Sequence, residues 1–431
     1  MTSEKYTRLG TASQLAAERL ALRLFDHPKV RAAAAAVLRQ MMSNPGASDA
    51  EGAASLKRAV DIWTRSLVLR ETNGDPYAPM IVCDADSAAH EWFGFVYPSA
   101  QVAADNPDNV YRNAYLNGDA SYVLHGRVSA PGPAQFVLEL TVGRPGSLVV
   151  QKSGKERVDL GNQIGLLTNR DIAPDADGRF TLYIDPRPAN GRKYHIQSRE
   201  DCPQALLLRD TLSDWSQVPL EYRIEKVAGP SGPPLTEELI AERTVVDLPE
   251  WVAFWTKFKE NWMGTPRANT MATPIARDGG WGFGASGPYE LAEDEALIAT
   301  VSKGNAPYVS IQIIDRWLIG ADPRLDFANL NIAQTTPNAD GTLTYVVSVK
   351  DPGVANWAST GGQHRGYIFL RWQGTPGGTD GPKLLREFRK VKLQDLPAAL
   401  AATPLKRVSP AEREAMRVQR KEHFEARMRA S

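Results

Sequence analysis

The chain has 431 residues, with 50 Lys+Arg against 50 Asp+Glu, 42% hydrophobic and 23% charged residues, and two cysteines. At roughly 100–200 residues per domain this length implies two or three domains, and the zero charge balance offers no electrostatic footprint for nucleic acid or an anionic membrane. Cys83 and Cys202 cannot build a disulfide framework or a four-thiolate zinc site.

No run reaches the ~18–20 apolar residues of a membrane span. The first 23 residues carry Glu4, Lys5, Arg8, Glu18, Arg19 and Arg23 where a signal peptide would have an apolar core. The expectation is a soluble, reduced, cytoplasmic protein.

Helices open the chain. Ala16 to Phe25 is followed by Asp26-His27-Pro28 and the alanine-rich run Lys29 to Met42. Alanine is the best helix former, and Pro28 suits the first turn. Asn44-Pro45-Gly46 stops this run. A further helix is predicted over Ala50 to Arg70, where Leu56, Val60, Trp63 and Leu67 follow helical spacing.

From Tyr77 to about Arg389 the pattern turns to short β-branched and aromatic runs between prolines and glycines. Tyr122–Leu124, Gln135–Val142, Phe180–Ile184, Ala205–Leu208, Leu297–Val301, Tyr308–Ile314, Leu343–Val349 and Gly366–Trp372 read as strands. Such density predicts antiparallel β-sandwiches of jelly-roll type in place of a parallel sheet with crossover helices.

An internal comparison adds a second expectation. Asp177-Gly178-Arg179-Phe180-Thr181-Leu182-Tyr183 aligns with Asp340-Gly341-Thr342-Leu343-Thr344-Tyr345-Val346 at an offset of 163, and Leu207-Leu208-Arg209-Asp210 aligns with Phe369-Leu370-Arg371-Trp372 at 162. This pattern predicts a duplicated β unit.

The join contains the breaker cluster Gly229-Pro230-Ser231-Gly232-Pro233-Pro234. A short helix is expected over Leu235–Thr244, then a second over Pro249–Met263. The second carries Trp251, Phe254, Trp255, Phe258 and Trp262 on one face and reads as a wedge between the β units. At the far end, Ser409-Pro410-Ala411-Glu412 is a capping box. The helix it opens has only a ragged apolar stripe (Met416, Val418, Phe424, Met428), which predicts a solvated surface helix, with docking or oligomerisation as the alternative.

The expected fold is therefore mainly β with flanking helices (α+β), with two tandem jelly-roll-like antiparallel β-sandwich domains. Its divisions are a helical region over 1–76, a first sandwich over 77–228, a helical linker with a Gly-rich hinge over 229–287, a second sandwich over 288–395, and a terminal helix over 396–431.

In the second unit, Asn329, Asn331, Asp340-Gly341-Thr342-Leu343-Thr344, Asn356-Trp357, Tyr367 and Leu370-Arg371 carry a resemblance to the family known as domain of unknown function 1214, over roughly Trp317 to Gly374. Asn106 to Arg112 and Tyr122 to Arg127 look like a segment common in longer proteins with that domain. The resemblance implies β-sandwich, jelly-roll-like domains and brings no activity. The chain departs from the family pattern at Ala358 to Arg365, where that family has a proline-containing loop.

Known chemistries find little support. The six histidines include no His-X-His pair, and His90-Glu91 does not continue as HExxH, so no metal is expected. There is no G-x-S-x-G elbow, and Asp84 and Asp201 beside the two cysteines would raise their thiol pKa values. Gly282-Phe283-Gly284-Ala285-Ser286-Gly287 matches GxGxxG, but Pro288 follows where a helix should start. It reads as a flexible hinge or a place of close backbone packing, and no cofactor is expected.

Polar clusters remain. His125 and Arg127 share one strand face. With His364 they are the candidate catalytic residues, a histidine as general base and an arginine to hold an anionic or carbonyl group. Tyr111, Arg112, Asn113, Trp317, Trp357 and Arg365 are the candidate substrate-binding residues. The bland alternative for each cluster is ion pairs and turn bonds bracing β loops.

Ten tryptophans and the missing cofactor signatures favour a cofactor-independent protein that binds, and by acid–base chemistry transforms, a small, largely apolar organic molecule (lipid, steroid or terpenoid-like). The alternatives are a carbohydrate-binding or carbohydrate-active jelly-roll protein, which would expose Trp281 or Trp357 as a platform, and a non-enzymatic scaffold or homo-oligomer joined through its terminal helices. No nucleic-acid partner and no membrane span are expected.

Overall fold

The computed structural model describes residues 6–147, 151–152, 158–159, 163–262, 267–277 and 282–429. Helices α1 (Ala12–Phe25), α2 (Pro28–Met41) and α3 (Ala50–Thr72) come first. Thr11 caps α1 through the Gln14 N–H, and Asp49 caps α3 through the Gly52 N–H. Strands β1 (Val82–Ala85), β2 (His90–Trp92), β3 (Phe95–Tyr97), β4 (Asn109–Asn117), β5 (Ser121–Arg127) and β6 (Gln135–Val142) follow. Next come a ribbon of β7 (Gln151–Lys152) and β8 (Val158–Asp159), then β9 (Gln163–Thr168), β10 (Arg179–Asp185), β11 (His195–Gln197), β12 (Pro203–Thr211) and β13 (Glu221–Ala228).

Helix α4 (Glu237–Trp262) leads to β14 (Ile275–Arg277), β15 (Gly282–Glu290), β16 (Glu295–Val301), β17 (Tyr308–Asp315) and β18 (Asn329–Asn331). The chain continues through β19 (Leu343–Ser348), β20 (Trp357–Ser359), β21 (Arg365–Gln373) and β22 (Leu385–Lys392) to the short α5 (Leu396–Ala399) and the long α6 (Pro410–Arg429).

The protein is mainly β with flanking helices, as its strand pattern predicts. One sandwich pairs the sheet β1-β4-β12-β6-β9 with β11-β10-β5-β13, and the other pairs β14-β15-β21-β17-β18 with β20-β19-β16-β22. The two orders correspond strand for strand. Pairing is antiparallel except for β10 with β11 and β19 with β20, which are parallel, with Tyr183 opposite His195 and Val346 opposite Trp357.

The matched turns have matched bonds. The Asp175 N–H donates to Arg179 O at 2.9 Å, and the Asn338 N–H to Thr342 O at 2.8 Å; Gly178 and Gly341 follow at φ 77° and 78°. A left-handed φ is what glycine supplies at no steric cost.

Alternation fills each core. Leu206 and Leu208 of β12 point into the first core with Leu138, Leu140, Leu124 and Leu182, while Ile368, Leu370 and Trp372 of β21 point into the second with Leu297, Ile311 and Tyr345. The next residues along these central strands, Arg209 and Arg371, are buried on the opposite face, so charge is buried where the two five-stranded sheets approach the helices and each other. Thr211 Oγ1 donates to Gln373 Oε1 at 2.6 Å across that seam.

Three expectations need correction. Leu235–Thr244 and Pro249–Met263 are not two helices: α4 runs unbroken through Pro249, because the packing of Leu248, Trp251, Val252 and Trp255 against α2, α3 and Phe369 outweighs one lost hydrogen bond. Phe258 and Trp262 of its expected stripe lie outside the described side chains. Of the two readings of Gly282–Gly287, the hinge gives way to close backbone packing: the segment is strand β15, paired with β21 along its length. There, a Cβ on Gly287 would meet Thr270 O at 1.9 Å, which accounts for a small residue without any hinge.

Finally, α6 is not merely solvated. It buries Arg413, Arg420, Phe424, Arg427 and Met428 against the body. Buried arginines at i, i+7 and i+14 form the stripe that a count of apolar residues misses, since their methylene stems pack while their heads bond.

Candidate functional site

The nine residues singled out from the sequence do not converge. His125 and Arg127 do share the outer face of β5, but both are exposed. His125 lies 3.4 Å from Thr181 Oγ1, and Arg127 pairs with Glu221 at 3.6 Å. His364 and Arg365 sit on the other sandwich beside the start of α3. His364 Nδ1 is 2.9 Å from Glu51 Oε2, and Arg365 meets Glu290 at 2.6 Å and Asp49 at 3.4 Å. Arg316 completes this latch, bonding Asp49 at 2.8 Å and Glu51 at 2.9 Å.

The expected binding residues are mostly interior. Arg112 is buried, donates to Asp210 and to Leu220 O, and lies 4.4 Å from the Tyr222 ring centroid. Asn113 donates to Asp84 at 2.8 Å. The Tyr111 hydroxyl accepts from Asn109 Nδ2 at 2.8 Å. Trp317 is buried under α3, its Nε1 donating to Gly52 O at 3.0 Å. Trp357 is only 7% exposed, beneath Phe327 and Arg413, so it offers no platform; Trp281 lies outside the described residues. Cys83 is buried and its thiol is pushed up by burial above all, with Asp84 a minor contributor; burial likewise raises Cys202, helped by a bond to Asp201.

Sequence reasoning missed the polar seam. Asp108, fully buried, accepts from Trp215 Nε1 (2.7 Å), Tyr308 Oη (2.8 Å), Asn331 Nδ2 (2.9 Å) and Asn329 Nδ2 (3.0 Å), which ties both sandwiches to one carboxylate. Helix α6 closes over it: Arg420 Nε donates to Pro323 O at 2.6 Å, and its guanidinium lies 4.5 Å from the Trp215 ring centroid.

Nearby, His90 is held between Glu18 (2.7 Å from Nε2) and Asp86 (3.1 Å from Nδ1). Burial alone would lower its pKa, but the bonds to Asp86 and Glu18 prevail and hold it at about 9. Both ring nitrogens are committed, so this imidazolium is a brace with no face for a substrate. Asp86, Asn109, Tyr111 and Arg427 line a cavity of about 10 Å³ beside it, room for one water and no more. Among the described residues no three His, Cys, Asp or Glu side chains come together to hold a metal, and no helix is long and apolar enough to cross a membrane.

An opening of ligand size lies at the loop end of the second sandwich. It is a groove of about 290 Å³, between the β16–β17 turn and the loop after β21, lined by Ser302, Asn305, Thr379, Asp380, Lys383 and Arg386 over a floor of Leu384. The Ser302 N–H donates to Leu384 O at 2.8 Å and Trp372 Nε1 to Ser302 O at 2.7 Å, fixing the floor. Arg170 of the first sandwich donates to Gly374 O (2.7 Å) and Thr375 O (2.6 Å), holding the base of one wall.

The corresponding loop of the first sandwich, Leu212 to Leu220, is committed differently: Trp215 is buried under α6. At the groove rim, Asn305 has φ 58° and its exposed amide makes no hydrogen bond among the described residues. With Gly304 at φ 57° this is a tight turn between strands, a conformation asparagine adopts readily.

Fold and groove together define a two-sandwich protein of the α+β class with a polar opening on its second unit. No known family model matches the chain and no curated protein matches it. Its fold is similar to the crystal structure of an uncharacterized protein from Burkholderia cenocepacia, with a TM-score of 0.65, 23% identity, and coverage of 89% of this chain and 99% of that one. A structural-genomics target from Vibrio parahaemolyticus, at a TM-score of 0.39 and 10% identity over 67% of this chain and 90% of its own, is too remote to bear on the fold.

Proposed function

We propose that the protein binds a small polar molecule in the groove of the second sandwich. The observation that carries this reading is a ligand-sized opening lined by hydrogen-bonding side chains on loops braced from two sides. The polar lining favours a hydroxyl-bearing ligand, close to the carbohydrate alternative, over the apolar class expected from the tryptophan count. The support is the hydrogen-bonding capacity of Ser302, Asn305 and Thr379 on the lining; among the described residues no aromatic lines the groove, so recognition there does not use the stacking platform of the carbohydrate alternative.

A catalytic role for His125 and His364 gains no support from their positions, which are far apart in the fold, His125 exposed on one sandwich and His364 half-buried against Glu51 on the other. We also propose that the two sandwiches descend from one duplicated unit of jelly-roll-like winding, supported by the matched strand orders and turns, and that Trp317 to Gly374 is kin to domain of unknown function 1214.

Thermal unfolding of the full chain against monosaccharides, sugar acids, steroids and acyl chains tests the binding reading. The expected result is a concentration-dependent stabilisation by polar ligands that Asn305→Ala diminishes. Stabilisation by apolar ligands alone, or one untouched by substitutions in the groove, refutes it.

A further inference from the structure

We infer that the ligand of this groove carries a negative charge, and that Arg386 is the residue that selects it. The inference rests on the groove reading and gives it a chemical class: a small hydroxyl-bearing anion, with a carboxylate or phosphate at one end.

The backbone isolates Arg386. Along the β16–β22 ladder, Thr300 faces Glu387 and Val301 faces Leu385, so Arg386 is the extra residue of a β-bulge. A bulge leaves its residue out of the ladder and re-aims the side chain. The first sandwich has no such device at the matching place, since the irregularity of β13 falls at its far end, between Lys226 and Ala228.

The side chain is also uncommitted. Arg386 is exposed, lines the groove, and makes no hydrogen bond or ion pair among the described residues. Among the described residues it is attracted at longer range by Asp340. Arg389, three residues further along the same strand, by contrast holds Glu387. The other cation of the groove, Lys383, is already paired with Asp380 at 2.9 Å, so the free positive charge facing the opening is that of Arg386.

A guanidinium offers a planar fork matched to carboxylate or phosphate oxygens, and its bonds to them are stronger than neutral ones. Asn305, Ser302 and Thr379 lie on the same lining for the hydroxyl groups.

Calorimetric titration of the full chain with glucose, glucuronate and glucose 6-phosphate tests the inference, with Arg386→Gln as the variant; the two anions separate carboxylate from phosphate recognition. The expected result is at least tenfold tighter binding of one anion than of glucose, an advantage that falls with added salt and disappears in Arg386→Gln, which binds that anion no more tightly than it binds glucose. Equal affinity for glucose and both anions, or an anion preference that Arg386→Gln retains, overturns the inference and leaves the groove reading standing. Failure of all three to bind at millimolar concentration removes both.

Discussion

Glu71 offers the sharpest test of how this interior is built. It lies in the last turn of α3, fully buried, where the Gly146 backbone is the hydrogen-bonding group that reaches its carboxylate. Burial first, and then the neighbouring Asp247 carboxylate, raise its pKa to about 7, against the pull of Arg144 (3.9 Å away) and Arg243.

For an acid whose folded pKa lies above its unfolded one, the folded state binds the extra proton. Stability therefore falls as pH rises from the unfolded value to the folded one. Raising the pKa from 4.5 to about 7, at about 1.36 kcal/mol per unit, corresponds to roughly 3 kcal/mol lost between those limits. Glu71→Gln keeps the shape and removes the charge, at a cost of about 1–2 kcal/mol for a buried, poorly bonded amide.

Urea unfolding of wild type and variant from pH 5 to pH 8 measures the difference, in which titrating groups remote from the Glu71–Asp247 pair cancel. The variant should be the less stable at pH 5 and gain on wild type by about 2.5 kcal/mol by pH 8, since part of the loss precedes pH 5. A stability difference that stays flat with pH would refute the account.

Three further outcomes follow from the same interior. His90, raised to about 9 between Glu18 and Asp86, contributes stability that is complete below about pH 6.5 and is lost as pH climbs through 9; in His90→Gln that alkaline decline should flatten, as melting curves from pH 6 to pH 10 would reveal. Asp108→Ala strands four buried donors and should cost about 3–5 kcal/mol in urea titrations; a loss under 1 kcal/mol would contradict its place as the tie between the sandwiches. Gly178→Ala and Gly341→Ala introduce the same left-handed strain, but a Cβ at Gly178 would meet Val128 O at 2.1 Å whereas nothing lies within 4 Å at Gly341. The second should cost about 1 kcal/mol and the first clearly more, and equal losses would show that the two turns are not packed as described.

The elements with local signals were legible. Pro28 and the alanine run marked α2 nearly to the residue, Leu56, Val60, Trp63 and Leu67 marked α3, and the repeated Asp-Gly turns pointed to the paired β10 and β19. The site was harder to see because it is made of encounters between distant residues: Ser302 meets Trp372 across 70 positions, just as the buried seam joins Asp108 to Asn331 across 223. Single-sequence reasoning favoured residue types that look catalytic in isolation, such as His125 and His364, and passed over Arg386, whose interest comes from a ladder irregularity that has no sequence signature. The arginines of α6 were misjudged because a charged residue counts as solvent-facing until its bonded partners are known.

Arg170 has a consequence of its own. It reaches from one sandwich to the carbonyls at Gly374 and Thr375, so whatever shifts one half of the molecule against the other also alters the width of the opening on the far side. Filling that opening would in turn stiffen the whole particle, and the gain should register in amide exchange on the half that never touches the guest.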